Sequence, residues 1–163
     1  MKRLILSLLA LGCITLAQAQ QKTTLAECNG DTVTFIRKNF EEGKARFVGK
    51  PLAELLDEWT SQLPVGYLLF GNTGIHYLPE EEQNLVNSID LNHITEQERN
   101  ARSARHEPYY VLSVTLAPPY HHKWNDIVDL QDQEKKQLGP QVYNAIKDYI
   151  VTDVDYGMLN PAF

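Results

Sequence analysis

The run Tyr109 to Ala117 constrains the fold more than any other part of the chain. Tyr110, Leu112, Val114 and Leu116 alternate with Val111, Ser113 and Thr115. An extended backbone therefore carries four large apolar side chains on one face and smaller or polar ones on the other. Such a strand needs neighbours at its edges and a cover over its apolar face. Pro118-Pro119 ends it.

Other segments supply the neighbours and the cover. Pro51 at a first helical position, followed by Leu52, Leu55, Leu56, Trp59 and Leu63, predicts an amphipathic helix that Pro64 closes. Val65 to Phe70 reads as a buried strand. Gly71-Asn72-Thr73-Gly74 has turn chemistry that would fold it back onto Ile75 to Leu78. Leu85 to Leu91 is a weaker strand, with Leu85, Ile89 and Leu91 on one face and Val86, Ser88 and Asp90 on the other. Thr95 and Glu98 have capping-box form, and the helix they open, about 96–105, is either exposed or a loop. Asn29 or Asp31 can cap a helix reaching about Glu42, although Thr32 to Ile36 is β-branched enough to admit a strand. A polar helix or loop covers about Gln131 to Lys147, broken or restarted at Gly139-Pro140. Tyr149 to Tyr156 favours a last strand. The expected class is α+β: a small antiparallel sheet of three to five strands, with helices mainly on one face.

The first residues belong to a different plan. Lys2 and Arg3 precede the apolar Leu4 to Leu11, and Ala17-Gln18-Ala19 has the small-x-small form cut by a signal peptidase. The apolar run is shorter than the ~20 residues a membrane-spanning helix needs. Lipid attachment at Cys13 is the rival reading, disfavoured because Ala10 stands where such signals carry a larger aliphatic residue. The expected organisation is a signal peptide over 1–19, a mobile segment over 20–30 and one α+β domain over 31–163. The product would be periplasmic or secreted.

Cleavage after Ala19 leaves 144 residues and moves the net charge from −6 to −8. An acidic surface repels nucleic acid and anionic lipid. No apolar run after the signal is long enough to cross a membrane. Cys28 would be the one remaining cysteine, so no internal disulfide can form and the fold must rest on its core.

The segment Phe47-Val48-Gly49-Lys50-Pro51-Leu52, with Leu55-Leu56 and a strand behind it, resembles one found in small exported proteins of Bacteroidota-type bacteria. In that group a later strand ends in a proline-containing turn, and the chain closes on Ile-x-x-Asp-Ile/Val. Val114 to Pro118 and Ile150 to Val154 are similar to those two features. The resemblance covers the C-terminal two thirds, with 79–107 as an insertion. It implies the element order and carries no residue roles and no cofactor.

Several residues could carry chemistry. His121 and His122 with Asp126 or Asp129 could hold a metal and support a metal-dependent hydrolase. Against this, adjacent histidines in extended chain point apart, and no known ligand spacing is present. His106 lies at the other end of the main strand, roughly 25–30 Å away by strand rise, and cannot join them. Cys28 is either a nucleophile or a small buried hydrophobe. Glu80-Glu81-Glu82 read as solvated charge. Arg99, Arg102 and Arg105 make either an anion-gripping stripe or an ordinary exposed helix face, the latter favoured by Glu98 four residues before Arg102. Tyr109, Tyr120 and Trp124 are candidate ligand-binding aromatics, since rings offer contact area at little entropy cost. The function expected from these features is a non-enzymatic exported domain that binds a protein, peptide or glycan, without a cofactor.

Overall fold

The computed structural model describes residues 22–74, 79–135 and 137–159. The signal-peptide motif, Cys13 and the return strand expected at Ile75 to Leu78 lie outside the described residues.

Four strands form one antiparallel sheet in the order β1 (Tyr67–Asn72), β2 (Val86–Asn92), β3 (Tyr109–Leu116) and β4 (Val151–Leu159). The run read as the strongest strand lies inside the sheet as β3. Two rows of side chains cross its apolar face: Leu68, Leu91, Leu112 and Tyr156, then Phe70, Ile89, Val114 and Val154. All eight are buried, each worth ~1.5–3 kcal/mol against exposure.

Among the described residues there are five α-helices. α1 (Thr32–Ile36) settles the ambiguity left by its β-branched residues. Asp31 caps it, accepting from the N–H groups of Val33 and Thr34 at 3.0 and 3.2 Å. It continues as a π-helical turn, Arg37–Glu41, that brings Phe40 into the core beside Phe35 and Ile36. α2 (Leu52–Thr60) buries Leu52, Leu55, Leu56 and Trp59, and these share one core with the sheet. α3 (Glu96–Ala104) is helical but buries nothing. It stands over the other side of the sheet, where the Arg99 guanidinium lies 4.2 Å from the ring centre of Tyr67.

α4 runs from Trp124 to Glu134, starting seven residues before the expected Gln131. Trp124, Ile127 and Leu130 recur every three residues and pack on the core, a pattern that the surrounding acids obscure. α5 (Pro140–Ile146) restarts with proline at its first position. Glu134 reaches across to accept from the N–H groups of Gln141 and Val142 at 2.9 and 3.2 Å.

The expected facing of Leu85 needs correction. β2 carries an extra residue where Gly71 pairs with Ser88 and Asn72 with Val86, so the alternation changes phase and Val86 takes the core position. Leu85 is left half-buried at the rim. β4 does the same at Thr152, and both Val151 and Val154 face inward.

The segment 22–30, read as mobile, makes specific contacts. The Thr23 N–H donates to Asn39 Oδ1 at 2.9 Å, Leu25 N–H to Gln62 Oε1 at 3.2 Å, and Cys28 is buried in the core. No helix among the described residues is long and apolar enough to cross a membrane.

Candidate functional site

β1 and β3 both end at the same side of the molecule, and the loops that follow them form two walls. One wall follows β1: the turn Glu80–Glu82 and Leu85. Thr73 pins it, donating from its hydroxyl to the Glu82 carbonyl at 2.6 Å and accepting from the Leu85 N–H at 3.1 Å. The other wall is Pro118, Pro119 and Tyr120, the break after β3. A short antiparallel bridge between Leu85 and Lys123 joins the walls at their base, with Val86 N–H donating to the His122 carbonyl at 3.0 Å and Trp124 N–H to the Asn84 carbonyl at 2.8 Å.

Between the walls lies a cleft of about 440 Å³. Leu85, Pro118, Pro119 and Tyr120 give it apolar surface, while Thr73, Glu81 and Glu82 supply the polar part. Its size falls within the ~300–1,000 Å³ of small-ligand sites. Backbone hydrogen bonds hold both walls, so the cleft exists before any ligand arrives. Glu81 and Glu82 are exposed, and neither carboxylate has an ion pair among the described residues.

The three candidate aromatics are not brought together. Tyr120 lines the cleft. Tyr109 stands at the far end of β3, opposite Leu159, a full strand length away. Trp124 opens α4 and turns its indole N–H onto the Phe70 carbonyl at 2.7 Å, closing part of the free edge of β1. Strand rise separates the first two, and an unseen helix start explains the third.

The histidines have a packing role. The backbone N–H groups of His121 and His122 both donate to the Tyr149 hydroxyl, at 2.8 and 3.0 Å. Their rings lie against the Tyr149 ring, centres 5.8 and 6.1 Å away. Asp126 and Asp129 are exposed on α4. No group of three or more His, Cys, Asp or Glu side chains able to hold a metal occurs among the described residues.

The arginine stripe of α3 is engaged internally. Arg102 pairs with Glu98 and Arg105 with Glu107, each at 2.8 Å, while Arg99 covers Tyr67. A second hollow of about 500 Å³ is lined by Lys22, Arg46, Phe47 and the acids of α2. Its central ions are already paired: Glu58 takes Arg46 at 2.7 Å and Lys22 at 2.8 Å.

Most of the cleft was hidden in the sequence. Pro118-Pro119 read only as a strand terminator and Glu81-Glu82 only as solvated charge. They are 36 or more residues apart, and nothing local says that they face each other. The one usable signal was Tyr120, a large ring directly after a strand-ending proline pair. No family model, curated protein or solved structure matches this chain.

Proposed function

We propose that this protein is an exported, non-enzymatic binding domain that holds its ligand in the cleft between Glu81-Glu82 and Pro118-Tyr120. The observation carrying the reading is the cleft itself: about 440 Å³, preformed, with an apolar wall and, at its rim, two carboxylates without an ion pair among the described residues. Apolar surface beside a few polar groups is the usual make-up of a recognition site. Export rests on the leader motif from Lys2 to Ala19.

Two measurements test it. Backbone amide shifts recorded against a library of small fragments should move first at Thr73, Leu85 and Tyr120. Hits spread over the surface, or gathered elsewhere, would overturn the site. For export, intact-mass analysis of protein from the envelope fraction should give an N-terminus at Gln20. Uncleaved protein confined to the cytoplasm would remove that part.

A further inference from the structure

The chemistry of the cleft narrows what can occupy it; the inference rests on the binding reading above. Thr73 has its hydroxyl spent on both sides, donating to the Glu82 carbonyl and accepting from the Leu85 N–H. The Tyr120 hydroxyl is turned to the Leu116 carbonyl at 3.5 Å. Among the described residues that line the cleft, the polar side chains left for a ligand are therefore the carboxylates of Glu81 and Glu82, which accept hydrogen bonds and carry negative charge.

Lys123, which is bonded to this turn, forms no ion pair with them. Lys123 places its ammonium on two backbone carbonyls of the same turn, Glu80 at 3.2 Å and Gln83 at 2.8 Å. It braces the wall and leaves both side chains open. The chain as a whole is acidic, net −6, so its field adds to the local one.

A ligand suited to this cleft donates to the two carboxylates and brings apolar surface to the prolines and Tyr120. An anionic ligand is repelled. We propose that the cleft takes a peptide segment presenting a lysine or arginine next to an apolar side chain, the cation at Glu81 and Glu82 and the apolar group against Leu85, Pro118, Pro119 and Tyr120. Proline and tyrosine faces are good platforms for both the aliphatic stem of a lysine and a guanidinium plane.

The test uses the protein as isolated from expressing cells and blocked five-residue peptides, Gly-X-Phe-X-Gly, with X as Lys, Gln or Glu. Amide shifts report where each binds and how tightly. The lysine peptide should move Thr73, Leu85 and Tyr120 and bind at least tenfold more tightly than the glutamine peptide at low salt. That preference should shrink several-fold in 0.5 M salt, about the range over which exposed charges are screened. Glu81→Gln with Glu82→Gln should erase the preference while the glutamine peptide binds as before, and Tyr120→Ala should weaken both peptides. Amide spectra unchanged away from the cleft will show that the variants are folded. Equal binding of the lysine and glutamine peptides at the cleft would overturn the cationic class and leave the binding reading standing. No shift at the cleft from any of the peptides would overturn both.

Discussion

Glu58 takes two ion pairs, with its side chain only 10% exposed between Arg46 and Lys22. Burial pulls its carboxyl up, but the hydrogen bonds and charges of Arg46 and Lys22 outweigh that and hold it below its ordinary value of 4.5. The folded form therefore binds this proton more weakly than the unfolded chain. Stability from Glu58 is complete above about pH 4.5 and is lost as pH falls below it. Glu58→Gln should cost about 2–3 kcal/mol at pH 7, because Arg46 is left half-buried with a weaker partner. Its chemical denaturation curves should also change less between pH 6 and pH 3 than those of the parent. Tyr156 makes the opposite case: its hydroxyl is buried with no hydrogen-bond partner among the described residues. Burial pushes its pKa up, and the hydroxyl stays neutral at any ordinary pH. Tyr156→Phe removes the orphan and keeps the ring stacked on Tyr110, so the melt should be unchanged or rise by up to about 1 kcal/mol in equivalent stability. A clear loss would mean that the hydroxyl has a partner.

At the scale of elements, β3 separates core from surface one residue at a time. Val114 is fully buried and Thr115, next along, is exposed. Val114→Asp should cost more than 4 kcal/mol or abolish folding, by burying an unpaired charge. Thr115→Asp should cost about 1 kcal/mol or less, and thermal melts of the two compare them directly. Among the described residues, side chains close the outer edge of β1. Gln137 accepts from the Leu68 N–H at 3.0 Å, Gln131 donates to the Leu68 carbonyl at 3.3 Å, and Trp124 takes the Phe70 carbonyl. These side chains occupy backbone groups that would otherwise invite pairing with a second chain. Gln131→Ala with Gln137→Ala should leave the sheet intact but raise concentration-dependent association, read by light scattering. Unchanged scattering at high concentration would show that the edge is protected by something else.

For the molecule as a whole, one core joins the N-terminal turn, four of the helices and every strand. Cys28 belongs to it at 7% exposure and is the one cysteine among the described residues. With Cys13→Ser in place, the remaining thiol should react with a bulky disulfide reagent only as fast as the whole protein opens. Its protection should vanish at the same denaturant concentration as the circular dichroism signal. Early reactivity would show that the 22–30 segment peels away on its own. The sequence by itself determined part of this, the apolar alternation of β3 and the leucine and tryptophan stripe of α2, and it offered Asn29 or Asp31 and Thr95 as possible caps and Gly139-Pro140 as a break or restart. Each of these is a local matter, since strand and helix periods and capping bonds involve residues a few positions apart. Tertiary structure alone decided that Val86 rather than Leu85 faces inward, because the added residue in β2 is meaningful only against its partner Asn72. It decided likewise that α4 begins at Trp124, whose indole finds its acceptor on β1. The cleft is the extreme case. Glu81 and Glu82 face Pro118 to Tyr120 because the bridge from Leu85 to Lys123 draws two distant loops together. A contact between loops that far apart has no period or spacing along the chain, and it exists only once the sheet beneath them is paired.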